Sequence, residues 1–139
     1  MFLAAFERSA NVQRKEIRSA AKEGATGRER IFHVLTSYVR QSLGSKGRRG
    51  CIVVGSAVEL SALDPVARAL VGMELEASEK FIADLIREGQ ADGSIPDRVD
   101  AHDTAGMMIC IAQGLRVLGK VRLPLDVDRI THVVMKLLD

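Results

Sequence analysis

An all-α fold, a helical bundle of about six helices in one domain spanning residues 1–139, is what this sequence predicts, and three observations predict it. Apolar residues recur every three to four positions along most of the chain. Residues that start and stop helices punctuate those runs. The one β-branched run that suits a buried strand, CIVVGSAVELSAL at residues 51–63, has no second strand to pair with. As a strand it would leave its backbone groups unsatisfied, so a short buried helix is expected there.

Composition agrees with a globular chain. Hydrophobic residues make up 47% and charged residues 27%, and 4% aromatic content leaves a core of Leu, Ile, Val, Ala and Met. A chain of this length buries roughly two-thirds of its unfolded surface and needs no staple. Cys51 and Cys110 lie far apart in apolar runs, which suits a reduced, cytoplasmic protein. The first twenty residues alternate charged and apolar positions, unlike a secretory signal.

Residues 1–23 read as the first helix, with Leu3, Phe6, Ala10, Ile17 and Ala20 on one seam. Its pattern is at full strength from Phe2 with no N-cap, as at a trimmed edge. Gly24 ends it, and Thr26 followed by Glu29 forms a capping box for a second helix carrying Ile31, Val34, Leu35, Tyr38 and Leu43. The loop GSKGRRG at 44–50 holds glycines and cations but no Walker spacing, so it reads as a solvated loop. Asp64 and Pro65 start a long helix that runs to about Gln90. Its seams are Leu70, Met73, Ala77 and Phe81, and Val71, Leu75, Ile82 and Ile86. Turn chemistry occupies 92–100, and Asp100 caps the next helix. Leu123 and Pro124 precede a last one with Val127, Ile130, Val133, Val134, Leu137 and Leu138 in a stripe.

The stretch DAHDTAGMMICIAQGLRVLG, residues 100–119, is apolar on nearly every side. A surface helix needs one apolar stripe only, so this one must be covered twice. His102, Asp103, Gln113 and Arg116 interrupt it, which argues against a membrane span. Its own bundle covers one face, and a second copy of the chain most simply covers the other. A homodimer is therefore expected, with Ile111, Leu115 and Leu118 of this helix and Ile130, Val134 and Leu137 of the last one at the interface. Gly106 and Gly114 lie inside it at a cost of about 1 kcal/mol each relative to alanine, which close helix approach or pocket space would explain.

Charge is unevenly spread: residues 1–50 hold eleven Lys and Arg against four Glu, and residues 51–139 nine against fourteen acids. The basic end reads as a solvated face or as one that sits near nucleic acid.

Catalytic chemistry is missing from the pattern. There is no Glu-x-x-His pair for a dimetal site. The pairs Glu29/His33 and Asp128/His132 are four apart and read as surface ion pairs, and His102 as solvent-facing. Ser56 lacks a nucleophile elbow, and neither cysteine has a His partner in sequence. No enzyme, metal or cofactor is expected. Binding remains: a small apolar molecule can lie between helices, with Tyr38, Met73, Phe81, Met107, Cys110 and Gln113 as candidate liners. Each of these is also read as an ordinary core side chain, the commoner role.

The run RGCIVVGSAVELSALDPVARAL, then EGQADGSIPDRVDAHDTA, then AQGLRVLG, resembles the C-terminal domain of TetR-family transcriptional regulators. The opening FLAAFERS is similar to the linker helix that follows the DNA-binding helix-turn-helix in that family. The resemblance implies an effector-binding and dimerisation domain whose last two long helices form a four-helix bundle with a second subunit. It implies a small hydrophobic effector, and DNA contact only through an N-terminal reader missing before Met1. A reader-less protein that forms mixed dimers with full-length relatives is the alternative expectation.

Overall fold

The computed structural model describes residues 2–42, 59, 60, 62, 64–120 and 126–139. Among them are five α-helices and a closing 3₁₀ turn: α1 (Phe2–Ala21), α2 (Gly27–Ser42), α3 (Pro65–Asp92), α4 (Ala101–Lys120), α5 (Val127–Met135) and the turn Lys136–Leu138. The expected loop at 44–50 and the body of the helix expected at 51–63 lie outside the described residues.

Local chemistry sets the helix ends. Thr26 Oγ1 accepts from the Glu29 N–H at 3.2 Å, and Glu29 Oε2 accepts from the Ala25 N–H at 2.8 Å. The capping box thus forms, with the glutamate reaching one residue further back than the usual pattern. Asp64 accepts from the Val66 N–H with Pro65 in the first helical position, and α3 ends at Asp92, two residues past Gln90, with Gly93 as its cap at a left-handed φ of 85°. Asp100 accepts from the Asp103 N–H at 2.8 Å, and Asp126 from the Arg129 N–H at 3.1 Å.

The hub of the bundle is α2, which packs against α1, α3, α4 and α5, whereas the all-round apolar α4 packs mainly against α2 and α3. Ile31, Val34, Leu35, Tyr38 and Val39 are all buried on α2, so its faces are filled from within the chain. Its N-terminus is held by the end of α3. The Gly27 N–H donates to Asp92 Oδ2 at 2.8 Å and the Arg28 N–H to Ser94 Oγ at 3.2 Å. These bonds satisfy donors that a helix start leaves open. At the other end, a Cβ on Gly119 of α4 would overlap the Ser42 carbonyl of α2.

Behind these contacts lies one core in which Ile82, Ile86, Ile95, Ala105, Met108 and Leu138 are almost fully buried. Ile95 folds back onto Gly89, and Gln90 Nε2 donates to the Val99 carbonyl at 2.7 Å. The turn between α3 and α4 is thereby tied to the helix that precedes it. Arg28 binds Asp139 Oδ1 at 2.6 Å, which draws the C-terminus to the start of α2. No helix among the described residues is long and apolar enough to cross a membrane.

Candidate effector site and apolar face

Two features of the bundle have the character of functional surfaces, one inside and one outside. Between them, α1, α2 and α3 form a partly open cavity of about 50 Å³. Ile17, Tyr38, Ala77 and Phe81 give it apolar walls, with Gln13 and Ser78 as polar points and the Arg14–Glu74 ion pair, 3.0 Å long, at its edge. Arg18 lies 6.0 Å from the centroid of the Phe81 ring. The cavity is small beside the roughly 300–1,000 Å³ common for ligand sites.

Against this cavity stands a buried polar cluster that periodicity does not reveal. Arg116 of α4, one of the residues that break the apolar pattern of its helix, is only 4% exposed. Its guanidinium lies 5.4 Å from the centroid of the Tyr38 ring and donates to Gln41 Oε1 at 3.3 Å. With the Gln13 amide oxygen turned toward it, Nη1 donates there at 2.7 Å; that orientation is assigned from the hydrogen-bond network. Gln41 in turn donates from Nε2 to Glu16 at 2.7 Å. Arg116 Nε and Gln113 Oε1 are buried without a hydrogen-bond partner.

Outside, one face of α4, part of α5 and the closing turn leave apolar side chains uncovered. Met107 is 54% exposed, Val117 49%, Leu118 41%, Val133 60% and Leu137 39%. Cys110 and Gly114 lie on the same exposed face, and Gly114 has open space where a Cβ would be. The opposite face of α4, with Ala105, Met108, Ile109, Ala112 and Leu115, is buried in the chain.

The predicted site residues divide between these features. Of the candidate liners, Tyr38 and Phe81 border the cavity, and Gln113 lies one turn before Arg116 on α4 with its Oε1 buried. Met73, 66% exposed on α3, and Met107 and Cys110 on the outer face of α4 are not brought to it. Helical spacing put them on apolar seams but does not say which seam faces inward. Of the candidate interface residues, Ile111, Leu118, Ile130 and Leu137 remain partly or largely open, while Leu115 and Val134 are buried within the subunit itself. Gly106 meets only the Glu79 carboxylate, at ordinary contact distance; among the described residues Gly24, Gly27 and Gly119 are the glycines where a Cβ would meet backbone, and at Gly89 it would meet the Ile95 side chain.

The histidines take surface roles. His102 is exposed and faces Glu79 at 3.1 Å and Asp103 at 3.3 Å. His33 meets Glu23 at 3.6 Å rather than Glu29, which is engaged in the capping box. Among the described residues Asp128 and His132, both exposed on α5, form no ion pair. No group of three metal-ligating side chains occurs among the described residues.

Comparison with known proteins gives a consistent picture. The profile of the tetracyclin repressor-like C-terminal domain matches residues 27–134. A cysteine-substituted TetR-family transcriptional regulator, CifR, complexed with 26-bp double-strand operator DNA, is 23% identical with a TM-score of 0.81, covering 99% of this chain and 70% of that one. A second CifR cysteine variant, also with operator DNA, is 25% identical at a TM-score of 0.77, covering 99% and 71%. A TetR transcriptional regulator from Chloroflexus aurantiacus J-10-fl is 21% identical at a TM-score of 0.80, covering 98% and 68%. Comparison with curated proteins found no match.

Proposed function

Because the chain belongs to the tetracyclin repressor-like C-terminal domain family, we propose that this domain of a transcriptional regulator pairs with a second copy of itself and binds a small, mainly apolar effector inside its bundle. The observation that carries the pairing is the division of α4 into a face buried in the chain and an outer face on which Met107, Val117 and Leu118 are largely exposed. Contiguous exposed apolar surface of this kind marks an interaction site. A second copy, related by a two-fold axis, offers the same surface in return. The effector is assigned to the cavity bounded by Ile17, Tyr38, Ala77 and Phe81, which a ligand would enlarge.

On this reading the domain reads a cytoplasmic small molecule and alters how its regulator holds DNA. Operator reading itself is not assigned to these 139 residues. An effector shifts such a regulator only by binding one arrangement of the pair better than the other, by about 1–3 kcal/mol in typical coupled systems. No catalytic role is proposed.

A thermal-shift screen of small hydrophobic compounds tests the effector reading. A ligand present at about 100 times its Kd adds roughly 2.7 kcal/mol to stability, and a rise of several degrees in Tm is expected for at least one compound. A screen in which no compound moves the melting point would remove the effector from the proposal.

A further inference from the structure

We propose that Arg116 is the anchor for an anionic head on the effector, and that the effector is a monocarboxylate with a compact apolar body; this rests on the effector-binding reading above. The starting point is a charge without a counter-charge. Arg116 is 4% exposed, yet among the described residues the groups that meet its guanidinium are the Gln13 and Gln41 amides and the Tyr38 ring, all of them neutral. All 18 Asp and Glu residues of the chain fall among the described residues, and none of them pairs with Arg116. The nearest carboxylate in the network, Glu16, is kept one amide away because Gln41 stands between the two.

Buried charges are normally paired, since an isolated one is costly to remove from water. Here the pairing is left open, and so is a donor: Arg116 Nε has no acceptor. A carboxylate matches the flat guanidinium fork geometrically, taking two parallel N–H donors at once. One turn back on α4, Gln113 Oε1 is a buried acceptor with no donor, which a water or hydroxyl carried in with the anion would supply. Alongside lies the cavity of about 50 Å³, which the apolar body of the ligand would enlarge. Gln13 and Tyr38 touch Arg116 on one side and line the cavity with Ile17, Ala77 and Phe81 on the other.

Titration calorimetry and thermal shift on the 139-residue chain, at constant ionic strength, test this with matched pairs: hexanoate against hexanamide and benzoate against benzamide. Expected is a Kd at least tenfold lower for the acid of a pair than for its amide, with Arg116→Gln abolishing the difference. Arg116→Lys, which keeps the charge and loses the fork, should bind the acids more weakly than wild type and still prefer them to the amides. Should Arg116→Gln fail to fold, the acid–amide comparison in the wild type and the Arg116→Lys result decide. Acids and amides binding equally, Arg116→Gln binding the acids as wild type does, or sodium chloride reproducing the stabilisation would each overturn the inference. If neutral apolar compounds bind and the acids do not, Arg116 is not the anchor but the effector site stands. Binding by neither class overturns both.

Discussion

Gly27 and Gly89 bring the backbones of α2 and α3 into direct contact: a Cβ on Gly27 would lie 2.5 Å from the Gly89 Cα and 2.6 Å from the Leu85 carbonyl oxygen. The atoms in the way are backbone, so no rotamer change can relieve the overlap. This contact lets Asp92 and Ser94 reach the open N–H groups of α2.

Gly27→Ala is therefore expected to destabilise the domain by about 1–3 kcal/mol or more, the range for forced overpacking. Gly72→Ala is the control. It lies mid-helix in α3 with nothing within 4 Å of a new Cβ, so it should stabilise by about 0.5–1 kcal/mol through helix propensity. Urea denaturation measures both. Equal effects of the same sign would show that the α2–α3 contact is looser than described.

The two sides of α4 should respond oppositely to charge. Leu115 is 8% exposed within the subunit while Leu118 is 41% exposed. Leu115→Glu is expected to unfold the chain, because it buries an unpaired charge. Leu118→Glu and Val133→Glu should keep the helical circular dichroism of the wild type and lose self-association. A Leu118→Glu protein that still pairs with unchanged affinity would place the interface elsewhere.

Asp92 sets an acid limit on stability. Hydrogen bonds from Ser94, then from the Gly27 N–H, hold its carboxyl below the usual carboxylate range. A folded pKa below the unfolded one means the stabilisation is present in full above the ordinary value of about 3.9 and is lost as pH falls through the folded one. The gap in stability between wild type and Asp92→Asn should accordingly be larger at pH 7 than at pH 3. A gap of the same size at both would mean that the charge at Asp92 does not matter to the α2 start.

Much of the architecture was legible because it depends on local chemistry. Asp64 with Pro65, Thr26 with Glu29, and Asp100 act on their own neighbours, and each forms the cap its residue type suggests. That α4 carries apolar side chains on its outer as well as its inner face was also legible, since hydrophobicity all round a helix is a property of the sequence alone. What periodicity does not carry is the choice of neighbour. Met73 shares a seam with Phe81, yet it projects from the first half of a 28-residue helix and stays 66% exposed. Leu115 and Val134 fit a stripe facing a partner equally well as one facing the home core, and they face the core.

The Arg116 cluster shows the same limit from the polar side. A lone arginine in an apolar helix reads as a residue that reaches solvent, and only the approach of Gln13, Tyr38 and Gln41 from two other helices encloses it. All three lie far from Arg116 along the chain, so no local spacing around it announces the cluster.

The pairing of two subunits through the outer face of α4 and α5 is most directly tested by the solution mass of the 139-residue chain, measured by light scattering at low micromolar concentration. A mass twice that of the 15.1 kDa chain is predicted, falling to a single chain in Leu118→Glu. A wild-type chain that stays monomeric under those conditions would contradict the account.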